Sequence, residues 1–287
     1  MLAADAGLLK AIENAGLGLQ IGGALGGLLI FVWLARRGRW RNPLADVETT
    51  GKAPFSAHVF VSLAAYFLLQ IVFVAVATAG ADHEEVRVPG SGPWFRVQSA
   101  DSTAKLLVSV LIGIVLWRHR TFRTRHGLLD PRMVLVGVLG AVIVLPMCEV
   151  ILRMDQFLWR WVQPDAVQPT HVVLEALTRT RWGATQLVLG ACVVAPISEE
   201  LFFRGLLLQT VWRYSGHIWF SIILSAIAFG GVHFSQPQDV PALVAMGLAL
   251  GYVRVRYGSL LACVVLHGCF NGWTMTVAIL APELINS

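Results

Sequence analysis

Charge is scarce in this chain. Asp, Glu, Lys and Arg make up 14% of its 287 residues, where a soluble domain carries roughly 25%. With 56% hydrophobic residues and a mean hydropathy of +0.67, that scarcity excludes an ordinary soluble globule and indicates an all-α, polytopic transmembrane bundle. Cysteine is also rare. Cys148, Cys192, Cys263 and Cys269 all fall in apolar runs, and no CxxC occurs. A disulfide framework and a cysteine-bound metal cluster are thereby excluded, and the four read as small packing residues. A cleavable leader is not evident, because the first apolar run starts near Leu17 and ends in the stop-transfer-like Leu34-Ala35-Arg36-Arg37. No repeat of 20–50 residues, no long linker and no HExxH motif is present. The formal net charge is +5, yet the basic residues form short clusters beside apolar runs. That pattern suits membrane topology and gives no reason to expect a nucleic-acid partner.

What the chain has instead is apolar length. A span needs about 20 mostly apolar residues, and eight candidates appear, at 17–35, 56–79, 102–117, 133–152, 184–211, 217–234, 240–256 and 259–281. The first carries a stripe of glycines, Gly18, Gly22 and Gly26, suited to close helix packing. Residues 81–101 read as a loop with turn formers Pro89-Gly90-Ser91-Gly92-Pro93. Residues 155–183, with Trp159, Trp161 and Trp182, read as an interfacial segment. Residues 235–239 read as a polar loop, and Gly247 and Gly251 as a packing face. Arg36, Arg37, Arg39, Arg41 and the arginines of 118–132 fall on one side if the N-terminus is outside, which the positive-inside rule favours. Residues 1–180 thus read as N-terminal helices plus the interfacial segment, and 181–287 as a core within one continuous membrane domain.

Ala195-Pro-Ile-Ser-Glu-Glu-Leu-Phe-Phe-Arg-Gly205 interrupts the apolar pattern. Ionisable residues at membrane depth are costly and mark function or a tight internal pair. Glu200 and Arg204 are four apart and share a helix face, whereas Glu199 is turned about 100° away. The simplest division pairs Glu200 with Arg204 and leaves Glu199 for other work. Pro196 is expected to loosen the helix just before the carboxylates. Two further spans bring polar groups: Phe229 and His233 on the sixth, His267 and Asn271 on the eighth, each pair four apart. Taken singly, the histidines suit packing or an interface, and the asparagine suits interhelical glue. Together they supply what amide hydrolysis needs. A carboxylate can act as general base on water, a histidine can position that water or protonate the leaving amine, and an imidazole and an amide can donate to the oxyanion. Glu149 and Arg153, also four apart, read as a self-neutralising interfacial pair. His58, His83, His119, His126, His171 and His217 lie in loops or near span ends and read as surface residues.

Glu199-Glu200-x-x-x-Arg204, Phe229-x-x-x-His233 and His267-x-x-x-Asn271 resemble the three motifs of the CAAX-prenyl protease and bacteriocin-processing family of intramembrane endopeptidases. The resemblance covers roughly 180–280 and implies a four-helix catalytic core. It implies that Glu199 and His233 activate the water, that His267 and Asn271 stabilise the oxyanion, and that Glu200 and Arg204 hold the site together. It further implies a protein or peptide substrate, lipidated or not, within the bilayer of a bacterial-type cell membrane. No cofactor is expected. Glu199, His233 and His267 are the ligands zinc or another divalent ion would need, but the family leans to a metal-independent glutamate mechanism. A non-catalytic immunity or scaffold role, or a proton-coupled carrier, would use the same buried groups. No inverted repeat favours the carrier, and no motif residue is lost.

Overall fold

The computed structural model describes residues 56–118, 130–162, 181–234 and 237–280, together with the single positions Gly18, Val32, Arg36 and Leu44. The expected first span, most of the basic segment 118–132, the greater part of 155–183 and the first two residues of the 235–239 loop lie outside the described residues. Among the described residues every regular element is helical and there is no strand. The elements are α1 (Ser56–Thr78), the short α2 (His83–Arg87), α3 (Gly92–Arg118), α4 (Pro131–Val162), the composite rod α5 (181–215), α6 (Ile218–Gly231), α7 (Val240–Tyr257) and α8 (Leu260–Leu280). Among the described residues five of these rods are long and apolar enough to cross a membrane: α1, α3, α4, α5 and α8. The protein is therefore an integral, multi-pass membrane protein.

Three expected boundaries change. Residues 81–101 are not a loop. Asp82 accepts the Glu84 backbone N–H at 3.0 Å and opens α2. Ser91 Oγ then accepts the Trp94 N–H at 3.1 Å as α3 begins. Pro93 sits in the first turn, where its fixed φ suits a helix start and its missing N–H has no helical partner to lose. The third span thus starts ten residues early and takes in Asp101. The fourth span runs on as α4 to Val162, into the segment read as interfacial. Its Glu149–Arg153 pair closes at 2.9 Å on the exposed side, as the four-residue spacing suggests. The sixth span is shorter than expected. α6 holds 14 residues, about 21 Å at the helical rise, and His233 lies in the turn beyond it.

The core sits where α4, α5, α6, α7 and α8 meet, around Phe203, Phe229, Met246, Leu250 and Leu266. Small residues set the approach of α7 to α6. A side chain at Gly247 would come within 2.9 Å of the Ala226 Cα, and one at Gly251 within 2.9 Å of Ile222. This is the packing face read from their spacing. Towards lipid, α1 exposes Phe60, Phe67, Leu68, Ile71 and Val76, as an outer membrane helix must, because hydrocarbon is as good a neighbour for these side chains as protein.

Candidate active site

α5 positions the carboxylates, and it is not a uniform helix. Wide π-type turns at Gly190–Val194 and Leu201–Leu207 bracket a six-residue α-helical piece, Ala195–Glu200. Such bulges accumulate at functional sites because they re-aim side chains and release carbonyls. Pro196 supplies a local cause. It has no N–H to give, and its ring crowds the carbonyl four residues back, that of Cys192. That carbonyl turns towards α8, where Gly268 leaves room. A Cβ there would stand 2.8 Å from the Cys192 oxygen.

Glu200 and Arg204 are wholly buried, and Arg204 Nη1 donates to Glu200 Oε1 at 3.1 Å. The guanidinium is held from two further sides. Its Nη2 donates to the Gly247 carbonyl of α7 at 3.2 Å, and its plane lies 4.5 Å from the Phe229 ring centroid. Glu200 Oε1 also meets His267 Nδ1 of α8 at 2.9 Å. A carboxylate accepts, so this nitrogen donates and Nε2 faces the other way. It faces Glu199, whose Oε2 stands 3.9 Å from it. Glu199 keeps 17% of its side chain exposed, against 3% for His267 and none for Glu200. The division read from spacing is thus the observed one: Glu200 is buried in an Arg204–Glu200–His267 chain, and Glu199 keeps part of its side chain exposed.

His233 joins through an aromatic. Its Nδ1 lies 2.8 Å from the Phe229 carbonyl, which can only accept, so Nδ1 carries the proton and Nε2 offers a lone pair. The Phe229 ring neighbours both imidazoles, 5.1 Å from His233 and 5.5 Å from His267, centroid to centroid. Asn271 Nδ2 donates to the Ala191 carbonyl at 2.7 Å, inside the first wide turn of α5. One amide hydrogen is committed there and one is left. Glu199, Glu200, Arg204, His267 and Asn271 therefore converge at one α5–α8 junction, with His233 one ring away.

This geometry lies within residues 181–273, which match the family model described as type II CAAX prenyl endopeptidase Rce1-like. Over this segment the chain is similar to that family. The remaining helices, α1 to α4, precede this segment. An uncharacterized 24.3 kDa protein of Escherichia coli is 34% identical over 79 residues, 26% of this chain and 36% of that protein. The chain thus spans about a third of the length of that curated relative. No solved structure matches the chain.

Among the described residues no three His, Cys, Asp or Glu side chains gather as a group able to hold an ion. Glu199, His233 and His267 are the natural candidates. Both Nδ1 atoms are engaged, by the Phe229 carbonyl and by Glu200, which leaves the Nε2 atoms as the nitrogens an ion would use. Sequence reasoning had no sign of the polar cluster that α1 and α3 bring near this junction, because Asp101 was read as loop.

Proposed function

We propose that the protein is an intramembrane endopeptidase in which Glu199 is the general base. The observation that carries this is the split between two adjacent carboxylates, one buried and engaged through Oε1 by Arg204 and His267, the other left partly open beside His267 Nε2. Glu199 takes a proton from a water whose oxygen bonds to the scissile carbonyl carbon. The His233 Nε2 lone pair accepts the second hydrogen of that water and fixes its direction. The carbonyl oxygen becomes an oxyanion, which accepts from the remaining Asn271 N–H and, when His267 carries both protons, from its Nε2–H. As the C–N bond breaks, Glu199 returns its proton to the leaving amine and is a carboxylate again. No step is routed through a metal. The family description makes a bond near the C-terminus of a prenylated or other membrane-associated protein the substrate to try first. The Escherichia coli relative supports a bacterial-type cell membrane as the setting.

The test is cleavage of a peptide library by the full chain purified in detergent, followed by mass spectrometry. Hydrolysis that disappears in Glu199→Ala and His233→Ala, with unfolding temperatures unchanged, is expected. A wild type that cleaves nothing, or variants that cleave equally well, would overturn the reading. Equal performance of Glu199→Ala and wild type in cells would point to a scaffold instead.

A further inference from the structure

A second polar cluster lies outside residues 181–273, between α1 and α3. Tyr66 Oη donates to Asp101 Oδ1 at 2.9 Å, and Gln70 Nε2 donates to the same oxygen at 3.1 Å. Lys105 Nζ stands 2.9 Å from Asp101 Oδ2, with 24% and 21% of the two side chains exposed. Lys105 is near the midpoint of α3, about 20 Å from its start at the helical rise. It stands where the polar first half of α3 gives way to the apolar run from Leu106, and a charge beside that run calls for a reason.

Holding α1 to α3 is not a sufficient reason. Tyr66 and Gln70 already make that joint, and a neutral amide at position 101 would receive both bonds. Lys105 is on the same helix as Asp101 and adds nothing to it. What Lys105 brings is donors, because Asp101 takes one of three N–H groups. What Tyr66 brings is an acceptor: its own proton is committed to Asp101, so its oxygen lone pairs are what it can offer a third group. An acceptor and a charged donor side by side complement the N–H and C=O of a peptide unit, groups that cannot stay unpaired in hydrocarbon. α3 packs on both 190–194 and 195–200 of α5, and α1 reaches 201–207, so the two helices that carry the cluster border the Glu199 segment.

We propose that Tyr66 and Lys105 form a subsite for the backbone of an extended peptide, holding the segment that flanks the bond hydrolysed at Glu199. This rests on the peptidase reading above. Tyr66 accepts from a peptide N–H, Lys105 donates to a peptide C=O, and Asp101 keeps both side chains oriented.

The experiment uses the full chain in detergent, with a photoreactive phenylalanine introduced in place of the exposed Leu63, three residues before Tyr66 on α1. The peptide library is the probe, and the Glu199→Gln background prevents turnover during capture. Peptide capture that falls at least tenfold on adding Tyr66→Phe or Lys105→Met, and returns with Lys105→Arg, is the expected result. Absent capture, or capture the two variants leave unmoved, overturns the subsite. With Glu199 restored, KM should rise about tenfold in both variants and kcat should change less than about threefold. A loss in kcat alone would also overturn the subsite. Should the wild type cleave no peptide while capture depends on Tyr66 and Lys105, the peptidase reading falls and the subsite stands.

Discussion

His267 Nδ1 meets Glu200 Oε1 at 2.9 Å, and the Arg204 guanidinium reaches the same oxygen at 3.1 Å. A single carboxylate oxygen therefore fastens α8 to α5 and anchors the buried cation. The neighbouring carboxylate of Glu199 has neither duty. Two adjacent residues of one type consequently answer different questions, and substitutions should separate them.

Glu200→Gln leaves Arg204 as a buried cation without its counter-charge. Breaking a buried pair from one side costs about 3–5 kcal/mol, so a large fall in unfolding temperature in detergent is expected. Glu199→Gln should leave that temperature within a few degrees and remove hydrolysis. The reverse ranking by differential scanning fluorimetry would contradict the assignment.

Asn271→Leu removes the partner of the Ala191 carbonyl and the spare N–H together. An unpartnered buried carbonyl costs about 1–3 kcal/mol, and loss of one oxyanion donor lowers kcat on the order of a hundredfold or more. Steady-state kinetics should show the loss in kcat, with KM little changed.

Gly247→Ala is expected to destabilise by about 1–3 kcal/mol, the usual range for overpacking. Its Cβ would press on the Ala226 backbone at 2.9 Å, at the residue whose carbonyl receives Arg204. Gly231→Ala is the control, because a Cβ there meets nothing within 4 Å. Thermal unfolding of the two variants side by side checks this.

Peptide hydrolysis should survive prolonged treatment with EDTA and with 1,10-phenanthroline, followed by gel filtration. Activity that vanishes and returns on adding zinc would show that the donors rearrange around an ion.

The part of this site legible in the sequence is the part set by local spacing. Glu200 and Arg204 pair because four residues make about one turn, and His233 finds the Phe229 carbonyl for the same reason. That Glu199 is the open carboxylate follows from its 100° offset. The Glu200–His267 contact joins residues 67 positions apart, and only the packing of α8 on α5 creates it. Tyr66, Asp101 and Lys105 were missed for a different reason. The Gly-Pro-rich run at 89–93 suggests a loop, but a proline in a first turn also starts a helix. Asp101 and Lys105 then neutralise each other one turn apart, so the span carries both. The family resemblance supplied roles for the motif residues and nothing for α1 and α3.

The two wide turns of α5 have a consequence for insertions and deletions. Each turn behaves as one surplus residue in an otherwise regular coil, and each residue in such a coil advances the side chains by about 100°. Deleting one position from 190–194 would let the rod regularise and rotate everything before it relative to everything after it. Glu199 and Glu200 could then keep their register with Arg204 or with the upstream face, not both. The phase of this helix, set by its two wide turns, is as much a determinant of the site as the carboxylates themselves.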